Sequence, residues 1–131
     1  MKIAGTSFEI CDLQTVWSEL VLRIARSTSP MEVLDEAYIA AENESAVSML
    51  CSDGLVIMTL KCYPDGTMAA VVLMAASFGR AGAFERQQDD MMAVARAAGA
   101  DSLTFRSDRK GWGRMLGAEW SQNGEFFSRS L

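Results

Sequence analysis

Histidine is absent from this chain, which removes the side chain that most often carries protons near neutral pH. Ser-His and Cys-His nucleophile pairs go with it, so acid-base chemistry is left to carboxylates, lysines, cysteines and the two tyrosines, Tyr38 and Tyr63. Cys11, Cys51 and Cys62 are an odd set without metal-ligand spacing. With no histidine to join them, no metal site is expected, and they read as reduced thiols packed as small hydrophobes. Seventeen acidic residues against 12 basic ones leave a net charge of −5. An acidic surface repels phosphate backbones, so direct nucleic-acid binding is not expected.

These groups have to be held by a fold. Half of the 131 residues are apolar, enough for one domain, 1–131, with a real core. The longest apolar run, Met68 to Ala76, is strand-sized, so no membrane span is expected. Polar Thr6, Ser7 and Glu9 interrupt any leader-like stretch at the N-terminus.

Lys2 to Ile10 alternates loosely and predicts a first strand, weakened by Gly5. Asp12 caps a helix that buries Leu13, Val16, Trp17, Leu20, Val21 and Ile24. Ser29-Pro30-Met31-Glu32 opens a second helix through a capping box, running to about Glu44. The period then shortens. Ala46–Cys51, Leu55–Cys62 and Thr67–Ser77 predict three strands, joined at Asp53-Gly54 and at Tyr63-Pro64-Asp65-Gly66 into an antiparallel meander. The last of them (AAVVLMAA) is apolar enough to be buried on both faces.

A glycine-bearing loop, Phe78 to Gly82, leads into a helix from about Ala83 to Ala98, stopped by Gly99. Its pattern turns Phe84, Met91, Met92, Val94 and Ala95 inward and Glu85, Arg86, Gln87, Asp89 and Asp90 outward. Ser102–Phe105 is a short buried strand, parallel to the previous one by the handedness of strand-helix-strand units. A short helix around Gly111–Leu116 and a hairpin turning at Asn123-Gly124 close the chain. The expected fold class is α/β (α+β): a central mixed sheet of about seven strands flanked by about four helices.

This order resembles the GCN5-related N-acetyltransferase (GNAT) fold over nearly the whole chain. The likeness is clearest from Ala95 to Arg106 and in Gly111-Trp112-Gly113-Arg114-Met115-Leu116-Gly117. Lys110-Gly111-Trp112, opening the short helix, is similar to small GNAT-like proteins encoded among phage structural and assembly genes. The same residues also make sense as packing: Trp112 and Leu116 share a helix face, and Trp120, Phe126 and Phe127 give the hairpin its mass.

The resemblance implies three devices for acetyl transfer. The first is a Gln/Arg-x-x-Gly-x-Gly/Ala loop whose amides hold a pyrophosphate at a helix N-terminus. Here the loop is Gly79-Arg80-Ala81-Gly82-Ala83-Phe84. Anchoring on Gly82 puts Phe84 at the last small position; anchoring on Arg80 puts Ala83 at the glycine and Glu85 at the small residue. Arg80 and the helix dipole still attract a phosphate, by about 1 kcal/mol. The second device is a tyrosine that protonates the leaving thiolate. Aligned on Leu116-Gly117, its place is taken by Gly113, a loss typically of about 10²–10⁴-fold in rate. The third is a carboxylate base near the end of the fourth strand. Thr67–Ser77 holds none, and Glu85 is the nearest substitute.

With all three unmatched, the sequence points to a non-enzymatic GNAT-like protein without a cofactor or catalytic residues. It would be a phage virion or assembly component binding structural proteins or a second copy of itself, in the host cytoplasm during assembly or in the virion. Exposed sheet edges and nine methionines suit such contacts. One alternative is an acetyl-CoA-dependent N-acetyltransferase acting on a small amine or a protein N-terminus, with Gly79, Arg80, Ala81, Gly82 and Ala83 binding the cofactor. The other is a small acidic phage inhibitor of a host protein, imitating phosphates with Glu42, Glu44, Asp89 and Asp90.

Overall fold

The computed structural model describes residues 2–3, 5–12, 38–40, 42–43, 46–77, 83–106 and 116–131. Seven strands form a single sheet: β1 (Glu9–Ile10), β2 (Val47–Cys51), β3 (Gly54–Cys62), β4 (Met68–Ser77), β5 (Ser102–Arg106), β6 (Trp120–Asn123) and β7 (Phe126–Ser130). Their order is β1-β2-β3-β4-β5-β7-β6. Every neighbouring pair is antiparallel except β4 and β5, which are parallel and joined through one helix, α1 (Ala83–Ala97). The mixed seven-stranded sheet and its meander are those expected.

Of the expected helices, α1 is described in full, and Tyr38, Ile39, Ala40 and Glu42 are helical at the end of the second. The helix after Asp12 lies outside the described residues. So does the short helix, apart from Leu116 at its end.

The first strand is shorter than its alternation suggests. Gly5, with φ of +77°, takes a left-handed conformation that extended backbone excludes. The Thr6 hydroxyl then donates to Ile3 O and accepts from Phe8 N, folding residues 3–8 back on themselves. Only Glu9 and Ile10 remain to pair with β2.

The meander turns are local. Cys51 pairs with Gly54, so the first hairpin loop is Ser52-Asp53 and the glycine already belongs to β3. At the second, Gly66 N donates to Tyr63 O, and Asp65 Oδ1 accepts from the amide and hydroxyl of Thr67. Those bonds, the hydroxyl's first, hold the Asp65 carboxyl below its ordinary pKa. The last hairpin pairs Asn123 with Phe126 and turns at Gly124-Glu125.

At the end of α1, Gly99 N donates to Arg96 O and Ala100 N to Ala95 O, both at 3.0 Å. This is the Schellman arrangement, which needs the positive φ (+84°) that Gly99 supplies. Ala95 and Ala100 are both buried across it.

Packing covers both faces of the sheet. On the α1 face, Phe8, Met49, Val56, Met58, Ala70, Val72 and Leu103 join Met91, Met92 and Ala95 of the helix in one buried cluster. On the other face Leu55, Ile57 and Ala69 are buried as well. Adjacent Ala69 and Ala70 are both inaccessible, as the apolar run of β4 requires. Among the described residues, no helix is long and apolar enough to cross a membrane.

Candidate functional site

The parallel ladder at the centre of the sheet stops early. β4 and β5 pair from Ala69–Ser102 to Val72–Phe105, whereas β4 runs on for Leu73, Val-free and alanine-rich, to Ser77. Over Leu73–Ser77, among the described residues, β4 has a strand on its β3 side only.

A β-bulge sits at the same point. In the β3–β4 ladder Ile57 faces Met74 and Met58 faces Val72, leaving Leu73 as an extra residue. A bulge bends its strand and raises the local twist. It also reverses the alternation: Ala70 and Val72 face α1 before the bulge, whereas Ala75, opposite Val56, faces it afterwards. Ala75 is exposed although Val56 beside it is fully buried. Among the described residues, the α1 side of the gap is open at Ala75.

Helix α1 spans the gap and is fastened on both flanks. Arg86, in its first turns, donates from Nε to Asp53 Oδ2 at 2.7 Å and from Nη2 to Oδ1 at 2.6 Å. The Asp53 side chain is almost wholly buried, while that of Arg86 is half exposed. Asp53 follows β2, and Gly54 next to it pairs with Ser77, so this carboxylate stands at the end of β4. That is where the sequence pattern finds no acid. Its two oxygens are engaged by Arg86, which makes it an anchor for the helix rather than a base. On the other flank the Gln88 amide, with Oε1 toward the hairpin, accepts from Arg129 Nη1 (2.8 Å) and Trp120 Nε1 (3.2 Å).

Aromatic rings build the β5 wall. Phe105 stacks on Phe127 (centroids 5.1 Å, 13° between planes) and meets Trp120 edge to face (5.3 Å). Phe105 is also the last β5 residue paired with β4, so this cluster begins where the ladder ends.

Of the residues picked out by sequence, Ala83 is the first of α1, at the end of the gap where the helix dipole is positive. Gly79, Arg80, Ala81 and Gly82 lie outside the described residues, as do Lys110 to Gly113 and the Glu85 side chain. Tyr63 sits in the turn before β4, at the end of that strand remote from the gap. Tyr38 is tied to Glu42, whose hydrogen bond raises its pKa.

One residue expected on the outer face of α1 belongs elsewhere. Arg86 stays half exposed as it reaches the buried Asp53, whereas Gln87 is buried in line with Met91 and Ala95 at four-residue spacing. An unbroken polar run, Glu85 to Asp90, hides that line from a reading by hydropathy.

A second concavity, an open groove of about 730 Å³, lies along the flank of α1 that meets the N-terminal loop. It runs between the N-terminal loop and Arg86, Asp89 and Asp90, where the Ser7 amide (3.2 Å) and hydroxyl donate to Asp90 Oδ2.

No family model and no curated protein matches the sequence. Solved structures match the fold. The ribosomal-protein-alanine N-acetyltransferase of Brucella melitensis superposes with a TM-score of 0.58 at 16% identity, covering 88% of this chain and 96% of that one. A NatC complex bound to Gag peptide and CoA gives 0.58 at 10% identity, covering 95% and 97%. An acetyltransferase of Bacillus subtilis in complex with CoA gives 0.56 at 13% identity, again covering 95% and 97%. Mixed sheet, parted central strands and these neighbours agree: the chain has the GNAT-like acetyltransferase fold.

Proposed function

We propose that this protein binds an acyl-coenzyme A in the gap beside Leu73–Ser77 and transfers the acyl group to an amine. The observation that carries this reading is the parting of β4 from β5 at Val72–Phe105, with the Leu73 bulge beside it. Five residues of strand edge extend about 16 Å. An extended ligand arm with two secondary amides, such as pantetheine, matches such an edge by adding to it like a strand. The start of α1 at Ala83 stands at the end of the same edge, where a helix N-terminus favours a pyrophosphate.

Two of the structural neighbours are named with CoA bound, one of them also with a peptide, and a third is named for acetylating an alanine of a ribosomal protein. A peptide amine is accordingly the acceptor class proposed here. The weight thus moves from the non-enzymatic phage reading, to which neither the fold nor the neighbours add support, toward the acetyltransferase alternative.

The chain's share of the chemistry is mainly placement. Holding a thioester and an unprotonated amine in contact supplies much of the rate without a protein base. The nitrogen attacks the thioester carbonyl, the carbon–sulfur bond breaks, and the proton leaving nitrogen passes to thiolate through water. With Gly113 where a tyrosine would donate, turnover is expected to be slow by about 10²–10⁴-fold.

Calorimetry with CoA and acetyl-CoA tests the binding, and thiol release with a panel of peptides tests the transfer. Micromolar binding with slow, peptide-dependent release is expected. No heat at millimolar CoA would sink the proposal.

A further inference from the structure

Gln87 is 4% exposed, and its Nε2 is buried without a hydrogen-bond partner among the described residues. Buried amide donors are almost always paired, because leaving one unpaired forfeits its hydration with nothing in return. An apolar residue would suit a purely structural position on this line, as Met91 and Ala95 do.

The position of Gln87 explains the exception. Met91 belongs to the same buried cluster as Val72, the last β4 residue paired with β5. Gln87 lies one helical turn from Met91 toward Ala83, about 6 Å along the helix axis. Its neighbours in the helix fix its place. Arg86 is held to Asp53, next to the Gly54–Ser77 pair at the end of β4. Gln88 accepts from Arg129 and Trp120 of the hairpin. Gln87, in line with buried Met91 and Ala95, therefore faces the sheet between them. The first turns of α1 thus bring an unpaired donor over the sheet between the open end of β4 and the hairpin.

We infer that Gln87 is a ligand-binding residue whose Nε2 donates to a carbonyl oxygen of the acyl-CoA arm in the gap. The inference rests on the acyl-CoA reading above and adds the donor that reads the arm. Two carbonyl sources share this chemistry, the thioester and the pantetheine amides.

The test compares wild type with Gln87→Met, which keeps the length and removes the amide. Free protein should become more stable, with a raised denaturation midpoint, because an unpaired donor has gone. Affinity should fall by roughly tenfold, the value of one buried hydrogen bond. If the fall is confined to acetyl-CoA, the thioester carbonyl is the acceptor; if CoA weakens equally, it is a pantetheine amide.

Unchanged affinity for both ligands overturns the inference and leaves acyl-CoA binding standing. A lowered midpoint in the free variant also overturns it, since the amide would then be partnered within the fold. Failure of wild type to bind CoA removes both. Should Gln87→Met not fold, the Gln87 side-chain amide of ¹⁵N-labelled wild type serves instead. Its resonance should shift on CoA titration, and a stationary signal in a protein that binds CoA overturns the assignment.

Discussion

Asp53 and Arg86, 33 residues apart in sequence, close on each other through two parallel hydrogen bonds of 2.7 and 2.6 Å. The carboxylate is buried in a hairpin turn and the guanidinium is half in water. The pair pins the start of α1 to the end of β4, so it fixes one end of the gap.

The unequal burial predicts unequal costs. Arg86→Met withdraws both charge-assisted donors from a buried carboxylate, for an expected loss of about 3 kcal/mol. Asp53→Asn leaves an arginine that can turn to solvent, for a loss of about 1–2 kcal/mol. Urea denaturation of the two variants measures the difference. Equal losses would mean that Asp53 is not buried against Arg86 in solution.

Why the sequence shows some of this and not the rest follows from range. Gly99 and Tyr63-Pro64-Asp65-Gly66 act through bonds to residues within five positions, so their signals are local and the stops fall where expected. Asp53 also reads as a turn residue, correctly, but its partner comes from another element and nothing near it announces Arg86. The bulge at Leu73 leaves no mark in AAVVLMAA, because every residue there is apolar on either face. The edge that defines the site begins at that one extra residue. That residue is extra only relative to its partner strand β3. The pyrophosphate loop is legible as a pattern, and its residues Gly79 to Gly82 lie outside those described.

Neighbouring phenylalanines in β7 make a second prediction. Phe127 is 3% exposed and stacked on Phe105, whereas Phe126 is 55% exposed on the opposite face. Phe127→Ala should cost about 3–5 kcal/mol through the cavity it leaves. Phe126→Ser should stay within about 0.5 kcal/mol. Denaturation midpoints decide it. A reversed order would mean that the hairpin pairs one residue out of register with β5, since such a slip exchanges the two faces.

Thiol reactivity supplies a third. Cys62 is exposed, and Cys11 is partly buried with its thiol directed to Ser48 O at 3.7 Å. Burial, reinforced by the charge of Asp12, pushes the Cys11 thiol above its ordinary pKa. The thiolate is the reactive form, so a raised pKa means less of it at any pH below that value. Iodoacetamide at pH 8 should therefore modify Cys62 well before Cys11, and the Cys11 rate should still be climbing above pH 9. Mass mapping of timed digests reads this directly. Equal rates at pH 8 would place Cys11 in solvent and undo the β1–β2 edge.

The pH dependence of transfer tests the chemistry itself. No histidine exists to act as base below neutrality or as acid above it. Asp53, the acid at the end of β4, is held by Arg86. The ionisation left to govern the rate is that of the acceptor, whose α-amino group titrates at about pH 7.7–8.0, nearly one unit above neutrality. Log kcat/KM should rise with unit slope to about pH 8 and then level, without a falling limb up to about pH 9. Replacing the peptide by a lysine-like amine should carry the inflection up toward about pH 10. An inflection that stays put when the acceptor changes would belong to the protein. It would mean that a proton-handling group exists which positioning alone does not require, and the placement mechanism would fall.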